Sequence, residues 1–210
     1  INSSDEAYMV NTRPGHVGPI ARSVFIIERA GKPTADNKVR FGDDVRIRSN
    51  DTISSKHLWL HSCMISPVSY ARFSRNQEVC LHTEPSYNTV WRIMPTPGNG
   101  YFNEIVKAGV PVMLQHCGTQ ENLASDHILY RNDFGNELEV SAKCLQDKKG
   151  KIMMLSREKV GEIVRENTQK DLGKQNYWSF QLAESATTLE DDHKVVYSGR
   201  KLVEDMRGAL

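Results

Sequence analysis

The feature that most constrains the fold of this chain is its internal repetition, because a repeated unit implies an architecture in which neighbouring copies bury one another's apolar faces. One unit runs from Val39 to Ile93. It opens with Val39-Arg40-Phe41-Gly42-Asp43-Asp44-Val45-Arg46-Ile47, where apolar residues alternate as in a half-buried strand with a glycine at a bend. Leu58-Trp59-Leu60-His61-Ser62 and Glu78-Val79-Cys80-Leu81 supply the second and third strands, and Asn88-Thr89-Val90-Trp91-Arg92-Ile93 closes the unit with a core-facing Trp. The order then recurs. Ile105 to Leu114 opens the next unit around Gly109, Leu123-Ala124-Ser125 stands for Leu60-His61-Ser62, Glu139-Val140-Ser141 for Glu78-Val79-Cys80, and Asn176-Tyr177-Trp178-Ser179-Phe180 closes it.

A third copy shows only its end. Glu6 to Val10 reads as its third strand and Arg22 to Ile27 as its fourth, with Phe25 in the Trp position. The phase supports this, since 17 residues lead from Phe25 to Gly42 and 18 from Trp91 to Gly109. Three four-stranded units predict an all-β fold, a β-trefoil, over residues 1–183. The first unit lacks its opening strands, which are expected upstream of Ile1 together with any targeting segment. Trp178 arrives late because about 148–175 is inserted, and that insertion reads as helical: Ser156 can cap it, Glu158 sits in its first turn, and Val160, Ile163 and Val164 share a face.

Residues 184–210 have no place in the trefoil. Ala186 to Asp192 reads as an extended linker, and Ser198 can cap a short helix ending near Met206, with Leu202, Val203 and Met206 on one side and Gly208 as a stop. So short a helix is marginal alone, which makes it a docking arm offering Arg200, Lys201 and Arg207 to acidic neighbours.

Gly42, Leu60-His61-Ser62, Glu78-Val79 and Trp91, repeated as Gly109, Leu123-Ala124-Ser125, Glu139-Val140 and Trp178, resemble MIR repeats. These are trefoil units of endoplasmic-reticulum mannosyltransferases and of intracellular calcium-release channels. A narrower resemblance rests on Val39-Arg40-Phe41-Gly42, Asn88-Thr89-Val90-Trp91, Val110 to Cys117, Leu129 to Val140 and Asn176-Tyr177-Trp178. It is to MIR-type microtubule inner proteins of cilia and flagella, and it extends from about Pro19 to the end of the chain. Phe134-Gly135-Asn136-Glu137-Leu138-Glu139-Val140 is its most specific piece, and the insertion at 148–175 departs from it. The resemblance implies a structural protein of the axoneme that contacts tubulin and other inner proteins in the A-tubule lumen, near the seam. An alternative is a MIR module that binds a ligand or glycoprotein in the secretory pathway. Asn2-Ser3-Ser4 and Asn50-Asp51-Thr52 fit the glycosylation acceptor pattern but are weak support for it.

Charge is consistent with a lumenal site. The 27 basic and 26 acidic residues give a net charge of +1, and so no global attraction to nucleic acid or to an anionic membrane. No apolar run is long enough for a membrane-spanning helix. The densest basic clusters are Arg72-Phe73-Ser74-Arg75 and Lys148-Lys149-Gly150-Lys151, and Arg72 and Arg75 join Arg200, Lys201 and Arg207 as candidate partner contacts.

Chemical readings are weaker. His57, His61 and Cys63 share one side of an extended strand, but Trp59 stands between them and no fourth ligand is evident. His116-Cys117 with Asp126-His127 suggests a Cys/His nucleophile, yet adjacent strand residues point to opposite faces. Asp43-Asp44 and Asp191-Asp192 read as solvated turns, Pro97-Gly98-Asn99-Gly100 as a turn between repeats, and the cysteines Cys63, Cys80, Cys117 and Cys144 as small apolar residues in a reducing compartment. We therefore expect no catalytic residue, metal or cofactor, and so no enzyme.

Overall fold

The computed structural model describes residues 7–13, 21–31, 36, 38–50, 56–144 and 173–182. The helical reading of the insertion and the docking-arm reading of the C-terminal tail both lie outside them. Among the described residues the fold is all-β: β1 (Ala7–Met9), β2 (Asn11–Thr12), β3 (Phe25–Arg29), β4 (Asp44–Ser49), β5 (Trp59–Ser62), β6 (Gln77–His82), β7 (Trp91–Pro95), β8 (Pro111–His116), β9 (Leu123–Asn132), β10 (Gly135–Ala142) and β11 (Trp178–Ser179).

Alternation sets the faces. In β4, Val45, Ile47 and Ser49 are buried while Asp44, Arg46 and Arg48 are only partly so, the period of two that a half-buried strand requires. Five strands, β3, β4, β7, β8 and β11, pair in that order into a curled half-barrel. Its inner face packs Val45, Ile47, Trp91, Ile93, Val112 and Leu114 against Leu60, Val79, Leu123 and Val140 from the two hairpins. Among the described residues the curl does not close, since β3 pairs only with β4, and β11 only with β8.

The predicted repeat is visible in the register. Trp91 stands across from Val45, and Trp178 across from Val112, each three residues beyond the glycine of its unit. Gly42 and Gly109 both adopt positive φ, at 94° and 79°, and both donate their N–H at 2.7 Å to the residue two beyond the Trp, Ile93 and Phe180. In the hairpins Leu60 faces Leu81 and Leu123 faces Ala142, so Glu78-Val79-Cys80 and Glu139-Val140-Ser141 are indeed equivalent. A turn of 3-10 helix precedes each closing aromatic, at Ala21–Ser23, Tyr87–Thr89 and Lys174–Asn176.

Phe25 occupies the expected register: it faces Ser49 as Trp91 faces His116. It differs in burial. Trp91 is 0% exposed and Phe25 is 38% exposed, because among the described residues no further strand lies beside Phe25 on the outer side of β3.

Asp43 and Asp44 are not the solvated turn the sequence suggested. Asp43 pairs with Arg29 at 2.8 Å and accepts from the Arg40 N–H, while Asp44 takes a bidentate Arg92 at 2.7 and 3.1 Å. The Arg92 guanidinium holds the Asp44 carboxyl below its ordinary range. The turn at 97–100 is as predicted, with Asn99 N–H bonded to Thr96 and both glycines at positive φ.

Candidate functional site

The strongest surface feature is built where the long hairpin of the last unit meets the 63–76 loop of the unit before it. A β-bulge shapes the hairpin. Leu138 faces Leu129 but Val140 faces Ser125, so three residues of β9 stand opposite Glu139 alone. The surplus residues, Asp126 to Ile128, belong to β9, and a bulge bends the strand that carries them. Opposite it, the Glu139 carboxylate of β10 reaches the loop, where it accepts from the backbone N–H of Phe73 and of Ser74, each at 2.8 Å. Ala71 N–H to Asn76 and Arg75 N–H to Ala71 close the loop, which brings Arg75 into a left-handed conformation at φ 61°.

Anchored this way, the loop lays Phe73 on Tyr130 with ring centroids 4.8 Å apart. Arg72 lies over Phe73 and Arg75 over Tyr70, at 5.4 and 4.5 Å from the ring centroids. Tyr130 faces Glu137 across the hairpin and donates its hydroxyl to Asn11. Glu137 accepts from Asn132 at 2.7 Å and pairs with Arg22 at 2.7 Å, and Arg22 in turn lies 4.4 Å over Phe134. One continuous face thus runs from Arg22 and Phe134 through Tyr130 and Phe73 to Arg72 and Arg75. Its two central carboxylates are consumed within it, Glu137 being 2% and Glu139 7% exposed.

Of the residues singled out as partner contacts, Arg72 and Arg75 sit on this face, exposed and without a carboxylate partner among the described residues. Arg200, Lys201 and Arg207 lie outside the described residues. Sequence reasoning missed Arg22, Tyr130, Glu137 and Glu139. The last three fall in or beside the segment that carried the narrower resemblance, but nothing in spacing alone reveals a bulge.

The candidate chemical groups are not brought together. His57 packs edge-on to Trp59, His61 stacks on His82 and approaches the Cys80 thiol at 3.6 Å, and Cys63 turns to the Ser69 hydroxyl. No group of three or more metal-ligating residues exists among the described residues. Both ring nitrogens of His116 are occupied, by Thr119 and by the Asn88 carbonyl. Its neighbour Cys117 is pushed up to about 11 by burial and by Asp44, so the thiol stays protonated at neutral pH and is a poor nucleophile. All four cysteines are free and buried or half-buried.

No family model matches the chain. It is 29% identical over 133 residues to cilia- and flagella-associated protein 161 of Bos taurus, a stretch covering 61% of this chain and 41% of the bovine protein. The chain therefore spans well under two thirds of the length of that relative. Among solved structures it is similar to the SDF2-like protein of Arabidopsis thaliana, with a TM-score of 0.56 and 21% identity over 84% of this chain and 79% of that one. A Caenorhabditis elegans protein of unknown function aligns with a TM-score of 0.48 and 18% identity, over 68% of this chain and 82% of its own. The fold is accordingly MIR-like and trefoil-like, and the chain is a distant relative of a cilia- and flagella-associated protein.

Proposed function

We propose that this chain is a non-catalytic structural protein of the axoneme. In this reading it lies inside doublet microtubules, in the A-tubule lumen near the seam, where it binds tubulin and neighbouring inner proteins and so stabilises the tubule for ciliary beating. The observation that carries the reading is the similarity to the bovine cilia- and flagella-associated protein. The molecule is consistent with it. Its two buried carboxylates with charged partners or backbone caps support a surface rather than a reaction, and its net charge of +1 suits retention by shape and local contacts.

The test is to tag the protein in ciliated cells, isolate axonemes and wash the doublets in high salt. Retention with the doublets, at a fixed ratio to tubulin, is expected. Recovery instead from the secretory pathway, with a glycan on Asn50, would overturn the ciliary reading and support a secretory MIR module.

A further inference from the structure

We propose that the arginine and aromatic face of the 63–76 loop and the β9–β10 hairpin docks a carboxylate-rich, extended segment of a protein partner, held by the stacked guanidinium groups of Arg72 and Arg75. The proposal deepens the structural reading above by naming the surface and the chemistry of what it holds.

Three observations lead to it. First, the local charge balance is one-sided. Glu137 is paired with Arg22, and Glu139 is held by two backbone N–H groups and forms no ion pair, so the three arginines of the face outnumber its two carboxylates and Arg72 and Arg75 stay exposed without an ion-pair partner among the described residues. Asp133, at the hairpin tip next to Phe134, is the exposed acid nearest in sequence to the Arg22 end of the face, away from Arg72 and Arg75. A partner that completes this face must supply negative charge.

Second, the guanidinium groups are positioned in advance. An arginine resting on a ring gives up rotamer freedom before any partner arrives, and its in-plane N–H donors remain free to fork onto a carboxylate. The loop below them is fixed by the Glu139 carboxylate and the Phe73–Tyr130 stack, so little ordering remains to oppose binding.

Third, the same stacking argues against single-stranded nucleic acid. Such ligands lay their bases on open aromatic faces, whereas here Arg72 and Tyr130 pack against Phe73, and Arg75 covers Tyr70. The face offers forked donors between apolar edges. An extended segment that alternates carboxylates with apolar side chains presents all its carboxylates on one side, because successive residues of a strand point to opposite sides, and that side can lie along Arg72 and Arg75.

The experiment measures binding by fluorescence anisotropy, with the purified chain and a labelled peptide of alternating Glu and Leu. Its Gln-for-Glu counterpart and an oligothymidylate serve as alternative probes. The Glu peptide should bind, more weakly as salt rises, and the Gln peptide should not. Arg72→Gln with Arg75→Gln should weaken the Glu peptide by about tenfold or more, the loss expected for two charge-assisted contacts. The double Lys variant should recover only part of that loss, since ammonium groups keep the charge but not the stacked fork. Arg131→Gln, on the opposite side of the hairpin, should change nothing.

The proposal fails if the peptide does not bind, if the double Gln variant binds as tightly as the parent while circular dichroism shows it folded, if Arg131→Gln weakens binding equally, or if oligothymidylate binds more tightly than the peptide. The two readings fail separately. A chain retained on doublets whose peptide binding ignores Arg72 and Arg75 refutes this face alone. One that binds the peptide through them yet is absent from axonemes refutes the ciliary reading alone.

Discussion

The indole N–H of Trp91 bonds the carbonyl of Leu60 at 2.9 Å, and the indole of Trp178 makes the same bond, at the same length, to Leu123, the Leu60 counterpart in the next repeat. Each bond ties the closing strand of a unit to its own hairpin. Trp91→Phe should therefore lower stability through a partly filled site and an orphaned carbonyl, of which the carbonyl alone costs about 1–3 kcal/mol. Trp178→Phe should cost less, because Trp178 is only half-buried and the Leu123 carbonyl keeps a second donor, the Asn176 side-chain amide at 3.2 Å. Urea midpoints at constant m-value check the order.

Glu139 should matter for the loop more than for the core. Removing its carboxylate in Glu139→Ala leaves the Phe73 and Ser74 N–H groups without their acceptor, at about 1.5–3 kcal/mol per charged hydrogen bond at most. Limited trypsin digestion should then cleave after Arg72 and Arg75 well before the rest of the folded chain. Equal cleavage rates in parent and variant would show that the loop does not depend on this anchor.

Acid should weaken the fold before the carboxylates titrate. Burial, then the charges of His82 and His116, push His61 down to about 4, against an ordinary value of 6.5. The unfolded chain binds the proton more readily, so the contribution of neutral His61 is complete above about pH 6.5 and is lost progressively as the pH falls towards 4. Unfolding midpoints should decline across that window, and His61→Gln should flatten the decline. A parallel slope in the variant would assign the effect to other groups.

Gly98 and Gly100 separate backbone strain from crowding. Both have positive φ, at 81° and 88°, but a Cβ at Gly98 meets open space whereas one at Gly100 would lie 2.4 Å from Phe41 Cε2. Gly98→Ala should cost about 1–2 kcal/mol, the penalty of a left-handed alanine. Gly100→Ala should cost clearly more, since Phe41 is a buried core residue with little room to move. Thermal melts of the pair give the difference directly.

How far these features were legible in the sequence follows from their range. Strand order, the two glycine bends and the Trp–hairpin equivalence could be read because each is a local pattern repeated at a matched interval. Phe25 was placed in the correct register but not at its true exposure, which depends on what lies beside β3 rather than on β3 itself. Asp43 and Asp44 were misread because their arginines, Arg29 and Arg92, come from other strands. The arginine and aromatic face was half legible: Arg72 and Arg75 stood out as a cluster, while the bulge at Glu139 and the contact of Arg22 with Glu137 arise only when distant segments pack.

The unclosed curl also bears on how the native state comes apart. A closed barrel must break two ladders to release any strand, but among the described residues β3 and β11 are each held by one, and the β11 ladder is only two residue pairs long. Opening should start at these rims and travel inward, so that native-state hydrogen exchange ranks the strands by distance from the gap. The slowest amides would then belong to β4, β7 and β8, the strands that carry Val45, Ile93 and Leu114, and the last structure to dissolve would be the layer around Trp91.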